Sequence, residues 1–141
     1  MPDEEKGYSF FDHTADIGIQ AQGATLGELF INMAQGVIAL IAEDSVLQPK
    51  DARPIHLSGD DPTSLLLRWL QELLFWFSTD RFLPVQYEVD VTPTSVHGTV
   101  RGARFDPARH TQGREVKAIT RHQLEVTQQN GVWRGRVIVD I

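Results

Sequence analysis

Two aspartates near opposite ends of this 141-residue chain have the neighbours that metal chemistry needs. Asp16 sits in "FDHTADIGI" (residues 11–19), and Asp140 in the closing "VIVDI". Both stretches alternate apolar and polar residues, as a β-strand does when successive side chains point to opposite faces. Ile17 and Ile19 then share one face, leaving Asp16 and Gly18 on the other. Val137, Val139 and Ile141 share a face, leaving Asp140 opposite them with Ile138 and Arg136. If the two strands are neighbours, both carboxylates stand on one side at one end, with the α-carboxylate of Ile141 one residue further on. Three negative groups so close repel one another and persist at low cost only around a cation. An all-oxygen donor set suits a hard ion, and terminal carboxylates suit Ca2+ better than the stricter Mg2+. Periodicity alone leaves a plainer and more economical reading open, in which Asp16 caps a turn and Asp140 is a solvated strand end.

The elements that must position these residues follow from the pattern. Thr25 with Glu28 three residues later reads as a capping box. Leu26, Leu29, Phe30, Met33, Val37 and Ile41 then recur at helical spacing, ending near Ala42. "ARPIHLSG" (52–59) reads as a short strand that Pro54 confines to an edge. Asp61 caps a second helix with Pro62 in its first position. Leu66, Trp69, Leu70, Leu73, Leu74, Trp76 and Phe77 surround a narrow stripe of Arg68, Gln71 and Glu72, so that helix is expected to be largely buried. After Pro84 the period is two, through "VQYEVDV", "SVHGTVRGA", "EVKAIT", "HQLEVTQ" and "VWRGRVIVDI". "QQNG" supplies an Asn-Gly turn between the last two strands. The sum is an α+β fold, two main helices packed on a mostly antiparallel sheet, in one domain over residues 1–141 with 1–9 as a disordered tail.

Composition narrows the function. With no cysteine, disulfides, thiolate metal sites and thiol nucleophiles are excluded. "MPDEEKGYSFF" lacks the apolar stretch of a signal peptide, no apolar run is long enough to span a bilayer, and a cytoplasmic location is expected. The net charge of −6 is uneven: Arg101, Arg104, Arg109, Arg114, Lys117, Arg121, Arg134 and Arg136 face only Asp106, Glu115 and Glu125 within 101–136. Solvated arginines on outward strand faces account for this, and an RNA-binding module using the same segment is the competing reading. Trp133 and Tyr87 read as core packing before base-stacking platforms. An autonomous metal-dependent phosphohydrolase built on Asp12 and Asp16 is a further alternative, although no nucleophile–base–orienter set accompanies them. His56, His97 and His110 show no ligand spacing in the sequence.

"DHTADIGI" (12–19), "LLLRWLQELLF" (65–75), "EVKAITRHQLEV" (115–126) and the terminal "VIVDI" together resemble the archease family, from about Phe11 to Ile141. The resemblance implies a non-catalytic protein cofactor of an RtcB-type RNA ligase, which rejoins tRNA halves in tRNA splicing and reseals other RNA breaks. Such a cofactor promotes guanylylation of the ligase and its multiple turnover, with RNA met indirectly through the ligase. The resemblance also implies divalent-cation binding by Asp16, Asp140 and the carboxylate of Ile141, with Ca2+ favoured and Mg2+ or Mn2+ as alternatives. It assigns Glu115 to activation, with Arg109 as the nearest match for a basic residue shortly before it. His13 is a candidate ligand or partner contact. Lys117 and His122 lie in motifs expected near the same end, Lys117 also balancing the acids. The chain departs from the family pattern at Ala103, where an acidic residue is common, and at Arg121, where Tyr is frequent.

Overall fold

The computed structural model describes residues 6–13, 16–42 and 47–141, with the side chain of His13 also outside the described set. In chain order the elements are β1 (Tyr8–His13), β2 (Asp16–Gly23), α1 (Leu26–Ile41), β3 (Asp51–Ser58), α2 (Pro62–Asp80), β4 (Phe82–Thr92), β5 (Ser95–Arg104), β6 (Ala118–Ile119), β7 (Glu125–Gln129) and β8 (Val132–Asp140). The strands form two sheets where the sequence suggested one. The larger has the order β1-β2-β8-β6 with β7 also paired to β8, and the smaller has the order β3-β5-β4. All these pairings are antiparallel, and the α+β class stands.

Local chemistry sets the boundaries. The Thr25 hydroxyl accepts the Glu28 N–H at 3.0 Å and opens α1, which ends at Ala42. Asp61 and Ser64 satisfy each other's backbone N–H groups in a complete capping box at the start of α2. Asn130 and Gly131 both adopt positive φ (53° and 76°), the turn that suits a two-residue hairpin between β7 and β8. Pro54 lies on β3, an edge strand paired only to β5.

Three expectations are corrected. A strand, β1, precedes the one read as first, and it takes in Tyr8 and Ser9 of the expected tail, because Tyr8 pairs with Ala21 and packs on the core. Residues 1–5 of that tail lie outside the described residues. The strand expected over 115–120 shrinks to Ala118–Ile119. The N–H groups of Gly113 and Arg114 go instead to the Ile41 and Leu40 carbonyls (2.8 and 2.6 Å), pinning the segment across the free end of α1 until Lys117 reaches β8. The strand expected from His122 begins only at Glu125, since Gln123 takes a left-handed turn with φ of 54°.

The core lies between helices and sheets. Leu29, Phe30, Met33 and Val37 of α1 and Leu65, Leu66, Trp69 and Leu70 of α2 are fully buried, with Ile19, Val137 and Val139 from the large sheet and Val96 and Val100 from the small one. Trp69 donates its indole N–H to the Phe30 carbonyl at 2.9 Å, tying α2 to α1. Trp133 and Tyr87 both pack against this cluster. At its edge Arg53 lies over the Phe82 ring at 4.1 Å and pairs with Asp80. The Arg53 hydrogen bond holds the Asp80 carboxyl below its ordinary range. A carboxyl depressed on folding contributes stability above its unfolded value of about 4 and loses it as pH falls further. Asp80→Asn is therefore expected to melt below the wild type at pH 7, with the gap closing on acidification below about pH 4. Thermal unfolding across pH checks this, and a constant gap would reject the ion-pair account.

Candidate functional site

The hydrophobic pattern decides which residues meet at the end of the large sheet. Ile17 and Ile19 of β2 stand opposite Val139 and Val137 of β8, and Ile19, Val137 and Val139 are fully buried. A slip of one residue would turn all four toward solvent, so the register is strongly specified. It places Asp16 directly opposite Asp140 on the other face. Cβ atoms of opposed residues lie about 4.5–5.5 Å apart, and like charges there destabilise a sheet.

Asp140 cannot fray from this position. Its strand is flanked by β2 on one side and by β6 on the other, where Ala118 is its register partner. The Lys117 N–H also donates to the Asp140 carbonyl at 2.7 Å. Ile141, half-buried, packs its side chain against the core. On the far side of Asp16, His13 of β1 is the register partner. His13, Asp16, Asp140 and Ala118 thus form one row across four strands.

Two residues inward, a wall that the motifs did not single out borders the corner. Phe11, Gly18 and Ile138 stand in register, and a Cβ on Gly18 would lie 2.1 Å from Phe11 Cζ, so the ring lies across that glycine. Ile138 is fully buried although it points away from the main core. Its carbonyl accepts from both the N–H and the hydroxyl of Thr120 (3.0 and 2.8 Å), which fixes the chain just past β6. A glycine among alternating residues, with an aromatic seven positions earlier, was the available signal.

Among the described residues no three His, Asp or Glu side chains are arranged to hold a metal. The corner instead brings two carboxylates, Asp16 and Asp140, into register opposition, and carboxylate oxygens suit a hard cation.

The other candidates divide. Lys117 joins the corner through its backbone, and Glu115, exposed, lies two residues before it. His122 is exposed in the turn after β6, its N–H on the Thr120 hydroxyl at 3.3 Å. Arg109 lies in the turn after β5, where its side chain pairs locally with Asp106 at 4.0 Å and its N–H donates to the Asp106 carbonyl at 3.0 Å. The basic segment is dispersed: Arg101 on β5 meets Glu88 (3.6 Å), Arg136 on β8 meets Glu125 (3.6 Å), and Arg134 bonds Gln22 (3.1 Å). No described helix is long and apolar enough to cross a membrane.

Known proteins resemble this chain over nearly all its length. The model of the Archease protein family (MTH1598/TM1083) matches residues 8–141. The protein archease of Sulfurisphaera tokodaii is 33% identical over 136 residues, covering 95% of this chain and 98% of the relative. That of Methanosarcina barkeri is 35% identical over 146 residues, covering 100% of both. The solution structure of protein 1598 from Methanobacterium thermoautotrophicum superposes with a TM-score of 0.84 at 34% identity, covering 96% of this chain and 99% of that one. An archease from Thermotoga maritima shares the fold at a TM-score of 0.68 and 20% identity, covering 93% and 94%. With a family model spanning both signature ends and full-length relatives above 30% identity, the chain belongs to the archease family.

Proposed function

We propose that this protein is a non-catalytic activator of an RtcB-type RNA ligase, working through a divalent-cation site at the Asp16, Asp140 and Ile141 carboxylates. The observation that carries the reading is the direct opposition of Asp16 and Asp140 in the β2–β8 register. Opposed like charges cost a sheet up to about 1 kcal/mol, a cost that a bound cation turns into attraction. Their opposition makes physical sense when the corner holds a cation, Ca2+ by preference. When bound, the cation would supply a fixed positive centre that a partner's phosphates can meet.

The chain's own residues do the rest. β2 and β6 clamp the end of β8, so the carboxylates are presented without the entropy of a loose tail. Phe11 and Ile138 back the acid row with apolar surface. Glu115, Lys117 and His122 are exposed around the β6 approach and form the rim that a ligase would touch, with His13 beside Asp16 in register. The dispersal of the arginines over two sheets and a loop argues against an RNA groove of the chain's own, which leaves RNA to the ligase.

The test mixes the purified chain with a matching RNA ligase and follows guanylylated ligase over successive turnovers. Sustained guanylylation that depends on the chain, together with no phosphate release by the chain alone, is expected. Turnover of phosphate esters without any ligase would replace this reading with the hydrolase one.

A further inference from the structure

We propose that the exposed face of the small sheet carries a transition-metal site built on His56 and His97. Sequence spacing does not show it, because the two lie on different strands; the register does. His56 of β3 is the register partner of His97 of β5, and His97 in turn stands opposite Asp90 of β4. All three are exposed, on the face turned away from buried Ile55, Val96 and Val100.

The ring geometry suits a shared metal. The two imidazole centroids are 5.8 Å apart and nearly perpendicular, at 87°. A metal bound at about 2.0–2.1 Å from a ring nitrogen sits about 3.2 Å from that ring's centre, so two rings on one tetrahedral ion have centres about 5.2 Å apart, which this exposed pair reaches by closing roughly half an ångström. The scaffold beneath is stiff. Gly98, next to His97, has a φ of 152°, and a Cβ there would lie 2.1 Å from the Glu88 carbonyl, so only glycine fits where β5 passes β4 beside His97. Pro54 restricts β3 two residues before His56.

Two side chains make an open site. No third His, Asp or Glu among the described residues closes it, so water, or a donor from a partner, completes the coordination. Imidazole donors select Cu2+, Ni2+ or Zn2+, with Cu2+ tightest, and pass over Ca2+ and Mg2+. The Asp90 carboxylate, one strand away, adds negative charge that favours a cation. This site therefore differs in chemistry from the all-oxygen corner and stands or falls independently of the ligase reading.

Calorimetric titration of the full chain with Ni2+, in excess Ca2+ so that the corner is already occupied, tests it. Saturable one-to-one binding is expected, weakened about 100-fold by either His56→Asn or His97→Asn because the second ligand then acts alone. Asp16→Asn is expected to leave Ni2+ affinity unchanged, which separates this site from the corner. As a check needing no variant, sub-stoichiometric Cu2+ should broaden backbone amide resonances first around residues 55–57 and 96–98. Absence of saturable Ni2+ binding, undiminished affinity in both histidine variants, or broadening centred elsewhere would overturn the proposal and leave an edge-to-face ring contact.

Discussion

Asp140→Asn is expected to fold normally, melt slightly higher than the wild type without added metal, and melt lower than it in Ca2+. The first half follows from the register, because replacing one of two opposed carboxylates with a neutral isostere removes repulsion worth a few tenths to about 1 kcal/mol. The second follows from linkage. A cation that binds only the folded state stabilises the wild type by about 2.7 kcal/mol at a concentration 100 times its dissociation constant. Loss of one charged ligand among three is expected to weaken Ca2+ binding on the order of 100-fold, which takes most of that gain away. Asp16→Asn should likewise lose most of the Ca2+ gain, and both variants should fail to sustain ligase guanylylation. The crossing of the melting curves separates the site from its plain alternative. If Asp16 merely capped a turn, Asn would replace it with little change, since Asn caps as well as Asp. Parallel curves with and without Ca2+, in both variants, would remove the cation from the account.

How much of this was legible depended on whether the information was local. The two faces of "ADIGI" and "RVIVD" could be assigned from alternation, because the strand period is two and the buried partners are large aliphatics. Their juxtaposition was a conditional in the sequence and became a register pairing only in three dimensions. β1 escaped notice because "YSFFDH" places aromatics on both faces: Phe11 covers Gly18 outside, while Tyr8 packs inside. The short β6 was hidden for a different reason. Its approach is governed by bonds from Gly113 and Arg114 to the end of α1, more than 70 residues earlier in the chain. The His56–His97 pair likewise depends on β3 meeting β5 across the intervening helix α2 and strand β4, a placement that no spacing rule within one segment encodes.

Appending Gly-Ser-Gly after Ile141 should impair the corner almost as severely as losing an aspartate, while sparing the fold. The extension carries the terminal charge as much as about 10 Å from where Ile141 ends, at up to 3.3–3.6 Å per residue. It puts an uncharged peptide carbonyl in the carboxylate's place. Ca2+ affinity is expected to fall about 10- to 100-fold, and guanylylation of the ligase with it. Stability without metal should hardly change, because Asp140 remains gripped by Asp16 on one side and Ala118 on the other, and Ile141 keeps its apolar contacts. Amidating the terminus is the stricter companion experiment, since it removes the charge and adds almost no bulk. Agreement between the two variants assigns the loss to the missing charge. An extended chain that loses stimulation while the amidated one keeps it would mean that the partner needs the corner sterically free and that the terminal carboxylate is not a ligand. Either result is read on the same two axes, calorimetric Ca2+ binding and sustained guanylylation. The roles of charge and of access at the end of β8 can therefore be told apart without disturbing any strand pairing.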